Sequence, residues 1–309
     1  MGKIAFLFAG QGAQAPGMGR AFYESSPAAA RVFDAVEAAR PGTLEQCFEG
    51  DADRLTQTIN AQPCLFAADL ACAMAALEAG VRADAAAGFS LGELCAVAFG
   101  GVVSLEDAIR LVLIRAEAMQ RAGEAAPGSM IAVLKLDAEA LSRALSGLEG
   151  AWAVNYNCPG QIVVACLADR AAEVTARVKQ AGGRCIPLKV GGSFHTPLMA
   201  PATRALTEAL ADMDVAEPRI PVYADLTGGR YAADTARDLL SRQASSPVKW
   251  QAILENLWAR GADTFIEFGP GTTLQGFVKR TLPQARAMSV SDPAGLAACL
   301  EALSQEENA

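Results

Sequence analysis

Residues 84–99 read Asp84-Ala85-Ala86-Ala87-Gly88-Phe89-Ser90-Leu91-Gly92-Glu93-Leu94-Cys95-Ala96-Val97-Ala98-Phe99. A short apolar run ends at Gly88, and a helix-forming run begins at Leu91. Between them Ser90 stands in a Gly-x-Ser-x-Gly frame, where neither flanking glycine brings a Cβ into the bend. The frame predicts a strand that turns sharply into a helix, with the serine hydroxyl near the helix's positive end. A nucleophilic serine is displayed in this way. Ordinary strand–helix loops share the pattern, so the rest of the chain has to supply a base, an oxyanion site and a substrate anchor.

Upstream, Lys3 to Ala9 predicts a buried strand that runs into the glycine-rich loop Gly10–Gly19. A phosphate loop is a poor reading. The dinucleotide fingerprint needs a third glycine where Ala15 stands, and the Gly-Lys-Ser/Thr of a P-loop is missing. The alternative is that the loop brings backbone and the side chain of Gln11 close to something else. Ser26-Pro27 predicts a capped helix start, and Gln62-Pro63 another, with Gly80 as its stop. Ser104 caps a helix running to about Ala122, on which Ala108, Leu111, Val112, Arg115 and Met119 form one stripe. A charge on that apolar face is costly unless paired. Arg115 is either a snorkelling or internally bridged arginine, or a bidentate anchor for a carboxylate.

From Ser129 the texture changes. Strands are expected at Met130–Leu136, Trp152–Asn157, Gln161–Cys166 and Arg184–Leu188, and helices at Ala138–Leu145 and Arg170–Ala181. The order β-α-β-β-α-β is that of a ferredoxin-like unit. It predicts a small subdomain over 126–191 inserted into a large α/β core formed by 1–125 and 192–309. His195, the only histidine of the chain, follows in a loop just before a helix. If an imidazole activates Ser90 it is this one; otherwise it is a capping or surface histidine. Further on, the pattern predicts strands at Ile220–Asp225, Thr264–Phe268 and Ala287–Val290. Helices are expected at Thr235–Gln243, from Pro247 to Arg260, and up to Leu303, with Ser304–Ala309 as a frayed tail. Strands alternating with helices imply a mostly parallel sheet covered on both faces.

Bulk composition narrows the classes. The chain has 309 residues, 52% of them hydrophobic, which is enough for one or two well-buried domains. A net charge of −8 disfavours nucleic acid as a partner, and no apolar run reaches the roughly 18 residues of a membrane helix. The N-terminus has no signal-peptide h-region, and the eight cysteines form no C-x-x-C pair. With one histidine, no metal site is expected, and the thiols read as free cysteines of a cytoplasmic protein.

A serine elbow and one loop histidine suggest covalent acyl transfer. No acid and no His-Gly-Gly-Gly motif is placed as in a plain α/β-hydrolase triad, so a Ser-His dyad held by backbone carbonyls fits better. With these residues the chain resembles the malonyl-CoA:acyl carrier protein transacylase family, the acyltransferases of fatty acid and polyketide synthesis. The resemblance spans nearly the whole length. It is carried by Phe8-Ala9-Gly10-Gln11-Gly12, Gly88 to Glu93, Arg115 with Met119, Asn157-Cys158-Pro159-Gly160-Gln161, Ser193 to Met199, Gln243 before Pro247-Val248, and Glu267 to Gly271.

The resemblance implies an α/β-hydrolase-like core with a ferredoxin-like insertion. It implies Ser90 as nucleophile and His195 as base, and an oxyanion hole from the backbone amide of Leu91 and Gln11. Arg115 would pair with the malonyl carboxylate, and the Gln243 carbonyl would orient His195. Met119 and Asn157 would lie near the site. Phe194 resembles malonyl-selective members, because a bulky ring leaves little room for an α-methyl group. The implied substrates are malonyl-CoA and the phosphopantetheine thiol of acyl carrier protein, with no other cofactor. Two departures stand out: Ala9 where the family usually has Pro, and Phe89 where it more often has His. Rival readings are a discrete polyketide acyltransferase, a serine thioesterase or hydrolase, a non-catalytic carrier-binding module, and a nucleotide-binding protein. Lys179, Arg184, Lys189 and Arg204 are candidates for docking an acidic carrier protein.

Overall fold

The computed structural model describes residues 2–307. Among the described residues nine strands form two sheets: β1 Lys3–Phe8, β2 Ala85–Gly88, β3 Gly128–Leu134, β4 Ala151–Cys158, β5 Gln161–Leu167, β6 Arg184–Leu188, β7 Val222–Tyr223, β8 Ala262–Phe268 and β9 Arg286–Val290. The first sheet has the order β7-β2-β1-β8-β9, with every pairing parallel. In β1, Phe6 and Phe8 enter one core and Ala5 and Leu7 the other. This period of two buries both faces, which is why the strand reads as a continuous apolar run. Phe8 is level with Gly88 on one side and Phe268 on the other. The loops after β1, β2 and β8 therefore leave the same edge of the sheet side by side, where α/β sheets place their ligands.

The second sheet has the order β4-β5-β3-β6 and is antiparallel. Ile131 and Val133 of β3 pack with Leu141, Val174 and Val178 of the helices Ala138–Leu145 and Ala171–Gln180. Met130 and Ala132 turn the other way, into the main core. The sheet is thereby seated on the larger body.

Several expected boundaries are corrected, and the strand expected at Met130–Leu136 runs Gly128–Leu134. The helix expected from Gln62 starts at Thr58, so Pro63 lies inside it. The ring removes only the hydrogen bond to the Ile59 carbonyl, and burial of most of the helix outweighs that loss. At its far end Gly80 has φ 99°, the Val81 N–H donates to the Ala76 carbonyl and the Gly80 N–H to that of Leu77, a Schellman closure. Among the described residues this is the one helix long and apolar enough to cross a membrane, and 89% of its apolar window is buried inside the fold.

The helix expected from Pro247 starts at Trp250. Val248 is instead extended: its N–H donates to the Val154 carbonyl (2.8 Å) and its carbonyl accepts from Tyr156 (2.9 Å), tying it to β4. Strand β7 covers only two of the residues expected for it. Beyond Tyr223 the chain leaves the ladder, because the Asp225 N–H donates to a side chain, Glu93 Oε1, at 3.0 Å. The last helix runs Pro293–Glu307, past Leu303, with Gln305 Nε2 donating to Glu301 Oε1. The expected fraying is therefore not seen up to Glu307, and 308–309 lie outside the described residues.

Candidate active site

The elbow is built by close approach. A Cβ on Gly88 would lie 1.9 Å from the Gly92 carbonyl, and one on Gly92 would lie 2.2 Å from the Phe8 carbonyl oxygen. Between them Ser90 has φ 56°. A non-glycine residue in this left-handed region is strained by about 1–3 kcal/mol and persists only where its surroundings over-determine it. Side chains do so here: the Ser90 N–H donates to Asp225 Oδ2 at 2.7 Å, and Gln243 Nε2 donates to the Ser90 carbonyl. His195 is likewise left-handed, with φ 62°, and its N–H donates to the Ala244 carbonyl.

The two side chains meet. Ser90 Oγ lies 2.8 Å from His195 Nε2. His195 Nδ1 lies 3.2 Å from the Gln243 carbonyl and 3.0 Å from that of Ser246. Two acceptors at Nδ1 assign the ring proton there, so Nε2 is free to accept from the serine hydroxyl. The Ser246 carbonyl, the shorter of the two contacts, was not foreseen from the sequence.

His195 is 3% exposed, and burial pushes its pKa down to about 4, with the charge of Arg115 acting in the same direction and the two carbonyls opposing. The imidazole is therefore neutral, and able to take a proton, across the whole neutral range. The acid limb of Ser90 acylation is expected near pH 4 rather than near the ordinary 6.5 of histidine. A pH–rate profile of acylation checks this, and a limb at the ordinary value would contradict the buried neutral base.

Arg115 comes from the apolar face of the Leu105–Ala125 helix and is 1% exposed. Its Nη2 donates to Ser90 Oγ at 3.0 Å and its Nε to Gln243 Oε1 at 3.0 Å. Burial brings its pKa down to about 10, opposed by the neighbouring carboxyl pair of Glu93 and Asp225, so it stays a cation. No carboxylate pairs with it in a salt bridge among the described residues. A buried guanidinium aimed at a serine oxygen can stabilise developing alkoxide charge and receive an incoming anion. Gln243 does more than its carbonyl alone suggested, since its amide bridges Arg115 and the Ser90 backbone.

Gln11 lies in the loop after β1. Its Nε2 donates to Thr58 Oγ1 at 3.2 Å, and its Oε1 faces Gln62 Nε2, which also reaches Met119 Sδ. These contacts anchor the loop to the Thr58–Glu78 helix and place Met119 behind it. Leu91 caps the helix Gly92–Gly100 and is fully buried. A cavity of about 220 Å³ is lined by Gln11, Phe89, Asn155, Asn157, Gln161 and Leu188, among others. The Oδ1 atoms of Asn155 and Asn157 have no donor. Phe89 turns its ring edge-on to Trp250, centroids 5.5 Å apart, and so occupies an aromatic niche rather than a polar one. Phe194 is buried in the main core beside Gly192. A larger cavity, about 870 Å³, opens near Ala83 and Ile220 at the opposite, amino-terminal ends of β2 and β7, away from Ser90.

Known proteins resemble this chain over nearly its whole length. Residues 5–298 match the family described as acyl transferase domain. The malonyl CoA-acyl carrier protein transacylase of Bacillus subtilis is 39% identical over 315 residues, covering 100% of this chain and 99% of the relative. The solved malonyl CoA-acyl carrier protein transacylase of Clostridium perfringens superposes with a TM-score of 0.94 at 33% identity, covering 99% and 98% of the two chains. A malonyl-transacylase solved with a type II polyketide-synthase acyl-carrier protein, PlMCAT with AntF, superposes at 0.91 with 31% identity, covering 97% and 99%. The chain is a member of the acyltransferase family of malonyl-CoA:acyl carrier protein transacylases.

Proposed function

We propose that this protein moves a malonyl group from malonyl-CoA to the phosphopantetheine thiol of acyl carrier protein, for fatty acid biosynthesis, through a malonyl-serine. The observation that carries the reading is the placement of a buried arginine, with no salt-bridge partner among the described residues, against a serine held by a neutral histidine. Ser90 Oγ attacks the thioester carbonyl while His195 Nε2 takes its proton. The oxyanion is held by the Leu91 and Gln11 amides. It then collapses, the C–S bond breaks, and the coenzyme A thiolate receives the proton from His195. The carrier thiol next gives its proton to His195 and attacks the ester, and Ser90 leaves with that proton. Arg115 pairs with the free carboxylate of the malonyl group.

The slot between Phe89 and the two asparagines suits a narrow amide-bearing arm, because the Asn155 and Asn157 carbonyl oxygens await N–H donors. Lys179, Arg184, Lys189 and Arg204 are exposed and are our candidates for meeting an acidic carrier. Phe194, next to His195 in the chain, is our candidate for limiting the α-substituent. The core is α/β-hydrolase-like. The order β6-β3-β5-β4 with two helices on one face supports a ferredoxin-like insertion over 126–191 between 1–125 and 192–309. Free thiols, seven of the eight buried, support a reducing cytoplasmic setting.

A thioesterase would pass the same acyl-serine to water. With labelled malonyl-CoA and holo acyl carrier protein, most label is expected on the carrier and little as free malonate. Malonate as the main product would overturn the transferase reading.

A further inference from the structure

Ser90 is held from behind by groups that the mechanism above does not use. Its N–H donates to Asp225 Oδ2, the Asp225 N–H donates to Glu93 Oε1, and the Tyr231 hydroxyl donates to the same Glu93 oxygen at 2.5 Å. Glu93 and Asp225 are each 1% exposed and within hydrogen-bonding reach of one another. Asp225 Oδ1 and Glu93 Oε2 both lack a donor. Two buried carboxylates side by side, each with an orphaned oxygen, are satisfied together by one proton.

We propose that Asp225 is a positioning residue that carries a proton shared with Glu93, and in that neutral form clamps the backbone of the nucleophile in its left-handed conformation. The surroundings agree. Among the described residues Arg115, from the Leu105–Ala125 helix, is the one cation facing the pair. Tyr231 and Gln243 face it as neutral donors, and His195 lies across Ser90 as a neutral ring. Lys249 donates its backbone N–H to the Asp225 carbonyl and turns an exposed side chain outward. One ionised carboxylate balances Arg115, whereas two would leave the site negative and repel an incoming malonyl group. Burial, and then the charge of Glu93, push Asp225 well above the usual carboxylate range. Burial also raises Glu93, but its hydrogen bonds pull it back, which leaves the proton on Asp225.

This inference rests on the acyl-serine reading for its kinetic consequences, but not for the proton itself. Asp69, a second buried carboxyl group whose oxygens lack donors, can contribute its own band, so the readout is the wild-type-minus-Asp225→Asn infrared difference, which is expected to show the carbonyl stretch of a neutral carboxylic acid at neutral pH. A difference spectrum without that band overturns the proposal even if malonyl transfer is intact. A wild type that shows the band but transfers no malonyl group overturns the function instead.

Asp225→Ala should lower kcat by roughly 10–100-fold through a displaced nucleophile, with little change in KM for malonyl-CoA. Asp225→Asn, whose amide accepts from Ser90 and donates to Glu93 as the neutral acid does, should recover most of that loss. It should also lack the alkaline fall in kcat that follows loss of the shared proton in the wild type. The folded acid keeps its proton above the pH at which the unfolded chain releases it. The pair's contribution to stability is therefore full below the ordinary carboxylate range and declines as pH rises. Asp225→Asn should accordingly flatten the decline of Tm as pH rises above the ordinary carboxylate range. An Asp225→Asn enzyme as impaired as Asp225→Ala, or one that keeps the wild-type alkaline limb, would show that an ionised aspartate is needed and overturn the proposal.

Discussion

Ser90→Ala is expected to lower malonyl transfer by roughly 10⁶-fold, the size of loss typical when a nucleophile is removed from an acyl-transfer site. The whole arrangement converges on this oxygen. His195 Nε2 accepts from it, Arg115 Nη2 donates to it, and its backbone is clamped by Asp225 and Gln243. Removing the hydroxyl leaves these partners in place, so affinity for malonyl-CoA should change only a few-fold. Steady-state transfer together with a direct binding titration checks both halves. A loss of affinity equal to the loss of rate would mean that the variant has collapsed the site rather than removed its nucleophile.

Arg115→Ala is expected to separate two substrates. For malonyl-CoA, the variant leaves a substrate carboxylate buried without its cation. Breaking a buried ion pair in this way costs about 3 kcal/mol or more, at least ~10²-fold in kcat/KM. Acetyl-CoA has no such carboxylate. Its transfer should fall less, by the share of Arg115 that acts on Ser90 Oγ. Discrimination between malonyl and acetyl groups is the quantity to measure, and equal losses for both would remove Arg115 from substrate recognition.

Legibility in the sequence followed the range of the interaction involved. The elbow is local. Gly88 and Gly92 are needed where the chain passes within contact of itself and of Phe8, and the strand and helix around them lie where the pattern placed them. The helix Ala138–Leu145 and the strand Arg184–Leu188 match residue for residue, because each has a clear period and a marked end. Prolines misled in two places. Pro63 reads as a helix start although burial carries the helix through it, and Pro247 begins a segment that bonds to a distant strand.

The site was legible where a residue type is rare or out of place. One histidine and one arginine on an apolar face point at themselves, and both are found within 3.0 Å of Ser90 Oγ. The Glu93–Asp225–Tyr231 cluster was not legible. Its members are up to 138 positions apart, and each alone is an ordinary polar residue. Only the fold shows that they share one buried space. Phe89 was legible as a departure but not in its consequence, since its partner Trp250 belongs to a helix distant in the chain.

The acyl-serine is the claim on which the rest depends. Brief incubation of the protein with malonyl-CoA in the absence of carrier protein, followed by acid quench, digestion and mass spectrometry, reads it directly. A malonyl adduct is expected on the peptide containing Ser90. It should disappear when holo acyl carrier protein is added before the quench, and it should be absent from Ser90→Ala. A wild type that transfers malonyl groups yet carries no adduct, or a Ser90→Ala protein that still carries one, would contradict the account.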